Sequence, residues 1–231
     1  MVTPAEIEAG QSIYSLRTLR WYDWFVLGLS NSVFWRCSTT DLRRLYDCNV
    51  TGRHLDVGVG TGYFLDHARW PVAEPAITLL DLNADCLTFA ARRLERYTPQ
   101  TIIANVVEPL PPIGPFSSVG LCYLLHCLPG NMAAKAIAFD LLRPLLSPNA
   151  RVFGATIVQG DAPRSRAAQA VMDLYNRRGI FSNADDTIDA LDLALRQRFD
   201  EVNIELKGAV AVFEGRFVGT DKRRISKSGS V

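Results

Sequence analysis

The chain has 231 residues, 48% apolar and 21% charged, enough for one domain with a core of its own. Its 25 Lys and Arg nearly balance 24 Asp and Glu, so no overall field draws it to nucleic acid or to an anionic membrane. No apolar run approaches the roughly 18–20 residues of a membrane span. The start Met1-Val2-Thr3-Pro4 lacks a secretion signal's basic and apolar regions, so a cytoplasmic protein is expected.

In chain order, the first cluster is aromatic. Trp21, Tyr22, Trp24, Phe25, Phe34 and Trp35 crowd together and include three of the four tryptophans. Their rings pack on a core, line an apolar site, or do both. His54-Leu55-Asp56-Val57 then reads as a short strand running into Gly58, Gly60 and Gly62, with helix-compatible sequence from Tyr63. Strand, Gly-rich turn and helix form the first unit of nucleotide-binding α/β folds. The dinucleotide fingerprint needs a third small residue at position 63, where Tyr stands; here the third glycine falls one residue early.

Strand and helix signals then alternate. Ile77 to Asp81 is an apolar run ending in an acid. Leu87, Ala90, Ala91 and Leu94 share one helix face, with Asn83 as cap and Pro99 as stop. Thr101 to Val106 reads as a third strand, Pro109 to Pro115 as a loop, and Ser118 to Leu125 as a strand buried on both faces. Asn131 is positioned to cap a helix carrying Ala133, Ile137, Leu141 and Leu145, and Arg151 to Val158 is a fifth strand. Ala167, Ala170, Val171 and Leu174 mark another helix closed by Gly179. Asn183 is expected to cap the helix of Ile188, Leu191, Leu195 and Phe199. Val202 to Lys207 and Ala209 to Phe217 are joined too closely to be anything but an antiparallel hairpin. The tail from Asp221 is basic and poor in apolar residues, and disorder is expected there.

Cys37, Cys48, Cys86, Cys122 and Cys127 show no C-x-x-C spacing and read as free thiols. His54, His67 and His126 show no metal-ligand spacing, so no metal is expected.

Four blocks in order resemble the class I S-adenosylmethionine (SAM) methyltransferases, in their small-molecule, metal-independent branch. They are the glycine loop after Asp56, the acid Asp81, Ala104-Asn105-Val106, and Leu124-Leu125-His126-Cys127-Leu128-Pro129-Gly130. The resemblance covers roughly residues 40 to 218. It implies a Rossmann-like sheet of seven strands, mostly parallel, with helices on both faces and a C-terminal antiparallel hairpin. It also implies an N-terminal helical lid over 1–50, a SAM-binding core over 51–219 and a disordered tail over 220–231.

The same resemblance implies the site. Gly58, Gly60 and Gly62 would shape the bed for the methionine part, and Asp56 would bind its ammonium directly or through water, since a carboxylate only accepts hydrogen bonds. Asp81 would accept the ribose hydroxyls, and Asn105 the adenine amino group. Thr61, Leu82 and Val106 belong to the same cofactor set, with Cys122 and Tyr123 at the crevice where such sheets bind ligands. Tyr14 or Tyr22 would reach the SAM carboxylate. Trp21, Trp24 and Phe25 in the lid, and Tyr175 in the insertion after the fifth strand, are the acceptor contacts. His126 is the candidate general base, although alignment alone can suffice for transfer from a sulfonium. His54 and His67 read as structural.

The function implied is methyl transfer to a small organic metabolite, on oxygen or nitrogen, of the kind found in secondary metabolism. The partner is a small-molecule acceptor, with no nucleic acid and no membrane, and the sequence leaves monomer or homodimer open. Two alternatives stay open: a cyclase or pericyclase that binds SAM without consuming it, and a non-catalytic SAM-binding subunit.

Overall fold

The computed structural model describes residues 34–160 and 164–219. The lid positions Tyr14, Trp21, Tyr22, Trp24 and Phe25, and the tail over 220–231, lie outside the described residues. The described part of the N-terminal segment holds α1, Thr39–Asn49, capped by Ser38, whose hydroxyl accepts from Asp41 N at 3.0 Å.

The order from there is β1 (Arg53–Val57), α2 (Tyr63–His67), β2 (Ala76–Asp81), α3 (Ala84–Arg93), β3 (Gln100–Ile103) and β4 (Phe116–Cys122). Next come α4 (Met132–Lys135), α5 (Ile137–Leu142), β5 (Leu146–Ile157), α6 (Arg166–Arg177), α7 (Ile188–Arg196), β6 (Glu201–Lys207) and β7 (Val210–Phe217). The seven strands form one sheet in the order β3-β2-β1-β4-β5-β7-β6. β1 to β5 run parallel; β7 is antiparallel to β5 and to β6. The expected Rossmann-like sheet with its terminal hairpin is therefore the observed one.

The chain winds outward from β1 to β3, then returns to place β4 on the other side of β1. Neighbouring strands that leave in opposite directions open a crevice beyond their carboxyl ends. Alternate side chains of each strand serve different layers. Leu55 and Val57 of β1 join Val119 and Leu121 of β4 in a core shared with Phe139, Leu142, Leu191 and Leu195 of α5 and α7. On the opposite face, Leu79 and Phe153 pack with Leu42, Leu45 and Tyr46 of α1, Leu65 of α2 and Leu87 of α3.

Several element ends differ from expectation. One end is as expected: Asn83 caps α3, accepting from Asp85 N at 2.9 Å. β3 stops at Ile103, not Val106, because Asn105 Oδ1 accepts from Val107 N at 3.3 Å and its carbonyl from Glu108 N at 3.0 Å, turning the chain. β4 stops at Cys122, since Tyr123 has φ 59° and leaves the extended region. The helix expected from Asn131 is broken at Ala136 into α4 and α5, and Pro144 sits in a 3-10 turn that follows. Asn183 does not cap α7. Thr187 does, accepting from Ala190 N at 3.2 Å. Asn183 is fully buried, and its amide donates to Ile157 O at 3.0 Å.

The segment before α7 is pinned by charge as well. Lys135 and Asp186 form an ion pair with both side chains fully buried, and Lys135 Nζ also donates to Ser182 O at 2.7 Å. Ser182 N donates to the His126 carbonyl at 2.8 Å. The chain between α6 and α7 is thus fastened to the loop that follows β4.

Candidate functional site

A cavity opens at the carboxyl ends of β1, β2 and β4. Its floor is the loop after β1. Gly58, Gly60 and Gly62 have φ of 70°, 53° and 71°, a left-handed backbone that a side chain makes costly. Gly58 N donates to Leu80 O at 2.8 Å, tying the loop to β2. The surroundings of the three glycines differ. A Cβ on Gly58 would lie 2.8 Å from Leu124 Cδ1, and one on Gly62 would lie 3.1 Å from Ala90 Cβ. A Cβ on Gly60 would meet nothing within 4 Å. Gly58 and Gly62 therefore let protein pack against the loop, whereas Gly60 faces open space.

The structure brings most of the expected cofactor residues together. Asp56, Gly58, Gly60 and Thr61 line the cavity from β1 and its loop, and Asp81 and Leu82 line it from β2. Asn105 and Val106 close one end; Cys122 and Tyr123 form the wall nearest β4. Among the described members of the set, Gly62 is the exception, serving as N-cap of α2 and packing against α3. Thr61 is buried, and its hydroxyl accepts from Arg93 Nη1 at 3.1 Å, which anchors the loop to α3.

Asp81 is a perturbed acid in this cavity. Burial raises its pKa from 3.8 to about 6, Asp56 adds to the rise, and the backbone amides of Asn83, Gly60 and Leu82 oppose it. Asn83 N donates to Oδ1 at 2.9 Å. A raised carboxyl favours folding fully below its ordinary pKa, and that contribution is lost as pH rises through 6. At neutral pH the fold therefore carries the cost of a carboxylate that donors in the cavity can relieve.

His126 lies behind the wall. Its ring is buried, packed edge-on to Phe181 at 4.6 Å, with Nδ1 3.4 Å from both Thr156 Oγ1 and Ile157 N. Burial first, and Lys135 second, push its pKa down to about 3. Because Ile157 N is a donor, Nδ1 acts as acceptor, and a base at this ring would have to work through Nε2. His126 and Tyr175 are not among the described residues that line the cavity. Tyr175 packs on Phe181, with centroids 5.0 Å apart. Trp35 is buried beside the hairpin, its carbonyl accepting from Ala209 N at 2.9 Å. That ring is core; it does not line the cavity.

Sequence reasoning missed several lining residues. Tyr46 of α1, Phe64 of α2, and Cys127, Leu128 and Pro129 after β4 all face the cavity. The last three lie inside a block already singled out, so its position after β4 was a usable signal. Nothing in the spacing of Tyr46 connects it to the loop. The cavity thiols are poor nucleophiles: burial raises Cys127 to about 12 and Cys122 well above the ordinary thiol value.

No protein-family model matches the chain. It is 40% identical to demethylluteothin O-methyltransferase of Streptomyces thioluteus over 205 residues, 88% of this chain and 89% of that protein. It is 36% identical to N-methyltransferase vrtF of Penicillium aethiopicum, over 78% of this chain and 76% of that one. Among solved structures, the DhpI–SAH complex superposes with a TM-score of 0.68 at 15% identity, covering 95% of this chain and 100% of that one. The chain belongs to the class I SAM-dependent methyltransferases. It is a methyltransferase enzyme, and its cofactor is SAM.

The two glycines that bound the first turn separate backbone strain from crowding. In Gly60→Ala only the left-handed φ is penalised, about 1 kcal/mol. Gly58→Ala adds contact with Leu124 and should cost 1 kcal/mol or more beyond that, roughly the cost of overpacking. Urea denaturation without cofactor measures both. Equal losses would contradict the different surroundings assigned to the two positions.

Proposed function

We propose that this enzyme methylates an oxygen or nitrogen of a small secondary metabolite by in-line displacement, with the cavity beyond β1 and β4 holding the donor. The observation that carries the reading is the open space over Gly60, in a cavity that Asp56 and Asp81 also line. The residues present suit SAM: one carboxylate for an ammonium, another for two vicinal hydroxyls, and an apolar end at Leu82 and Val106 for a flat ring. Names of relatives that methylate oxygen and nitrogen support the acceptor class.

When bound, SAM supplies an electrophilic methyl group on a positively charged sulfur. The chain's own work is placement. Asp56 accepts hydrogen bonds from the ammonium, Asp81 from the ribose, and Asn105 from the adenine amino group. Leu124, Leu128 and Pro129 give the cavity an apolar wall on the β4 side. An acceptor seated in the same cavity would have its oxygen or nitrogen held in line with that methyl group, and the cavity walls would supply the alignment. Alignment carries most of the catalysis in this scheme, because His126 does not line the cavity and its Nδ1 faces Thr156 and Ile157. The acceptor contacts expected from Trp21, Trp24 and Phe25, and the carboxylate contact from Tyr14 or Tyr22, lie outside the described residues. No described helix is long and apolar enough to cross a membrane.

Incubation with methyl-labelled SAM and small-molecule extracts of the producing organism tests the reading. Label in an extractable compound, with an equal amount of S-adenosylhomocysteine formed, is the expected result. Product formation with SAM unconsumed would instead support a cyclase, and absence of any labelled compound would overturn the proposal.

Asp81 adds a pH signature. Only its carboxylate accepts both ribose hydroxyls, so affinity for S-adenosylhomocysteine should hold above pH 7. Affinity should then fall, approaching about tenfold per unit, once the pH drops below about 6. Calorimetric titration from pH 8 to 5 measures it, and Asp81→Asn should flatten the profile. The same slope in that variant would place the titrating group elsewhere.

A further inference from the structure

Asp56 stands at one end of a buried chain of polar side chains that the methyl-transfer scheme leaves without a task. Tyr46 Oη donates to Asp56 Oδ2 at 2.9 Å, and His54 Nε2 lies 3.4 Å from the same oxygen. His54 Nδ1 is 2.8 Å from Ser118 Oγ, which accepts from Thr51 N at 3.0 Å. Tyr46, His54, Asp56 and Ser118 are all buried. Groups so deep in a sheet are costly unless every donor finds an acceptor.

The chain has an order in which each does. A carboxylate accepts only, so His54 carries its proton on Nε2 and donates to Asp56. Nδ1 is then an acceptor, met by the Ser118 hydroxyl, and Thr51 N–H supplies Ser118 in turn. Sheet register brings the members together. His54 pairs with Ser118 and Asp56 with Gly120 across β1 and β4, all on the α1 face. Gly120 gives the carboxylate room, since a Cβ there would lie 2.9 Å from Asp56 Oδ2. The Tyr46 ring is held between Phe64, stacked at 5.3 Å, and Phe153, edge-on at 5.1 Å.

Both contacts fall on the same oxygen. Among the described residues no hydrogen bond reaches Asp56 Oδ1, although Asp56 lines the cavity. We propose that Tyr46, His54 and Ser118 are positioning residues for the cofactor's amino group: they clamp Oδ2 so that Oδ1 is presented, in one fixed rotamer, to the ammonium. A carboxylate fixed before binding loses no rotamer freedom when the ligand arrives, which is how outer contacts strengthen inner ones. The inference rests on the reading that Asp56 receives the ammonium.

Two probes separate this task from simple support of the fold. S-adenosylhomocysteine carries the amino group; 5′-methylthioadenosine has the same adenine, ribose and thioether without it. Calorimetric dissociation constants are compared for the unaltered protein, Tyr46→Phe, Ser118→Ala and Asp56→Asn. Tyr46→Phe keeps the ring and its packing and loses only the hydroxyl. It should weaken S-adenosylhomocysteine about tenfold, the scale of one hydrogen bond to a charged group. Ser118→Ala should act in the same direction, and methylthioadenosine should change less than about twofold in either. Equal weakening of both probes, or of neither, would overturn the proposal. If Asp56→Asn itself leaves S-adenosylhomocysteine unaffected, the assignment of Asp56 to the ammonium fails first. If Asp56→Asn weakens it while Tyr46→Phe does not, the clamp alone is wrong.

Discussion

The backbone after β1 turns left-handed at every second residue, and the site is built around that constraint. Gly58 and Gly62 use their missing side chains to admit Leu124 and Ala90, so the loop is packed from the β4 side and the α3 side. Gly60, between them, is where the loop meets open space. Any side chain at the outer two positions would push the loop away from the elements that hold it. One at the middle position would enter the cavity.

Around that loop the sheet spends burial on polar groups. β1 carries Leu55 and Val57 toward one core, but His54 and Asp56 toward the other. The second face would be more stable if apolar, since burying polar groups is at best neutral. It is tolerated here because Ser118, Tyr46 and Thr51 satisfy the buried atoms and Gly120 leaves them room. The raised pKa of Asp81 is the same kind of expense at the end of β2. Such costs concentrate where a ligand is to be met.

Much of the fold was legible because its signals are local. The β1–glycine–helix unit, the acid ending β2, the cap at Asn83 and the terminal hairpin each follow from neighbouring residues, and the structure shows them all. What was illegible depends on distant partners. Asn183 has the sequence context of a cap, yet a buried hydrogen bond to Ile157 claims it and Thr187 takes the end of α7. Lys135 looks like an exposed helix charge until Asp186 is brought to it from the far side of the insertion. β3 and β4 end early because Asn105 turns the chain and Tyr123 turns left-handed, choices that apolar runs do not report. Tyr46 reaches Asp56 only through the packing of α1 on the sheet, and His54, structural by its place at a strand start, holds the same carboxylate.

In the proposed site, Asp56, Gly60 and Asp81 together hold the methyl donor. A crystal structure with S-adenosylhomocysteine tests it most directly. The ribose hydroxyls should lie on Asp81, the amino group on Asp56 Oδ1, and the ligand in the space over Gly60. A ligand bound elsewhere, or bound there with its amino group turned away from Asp56, would contradict it.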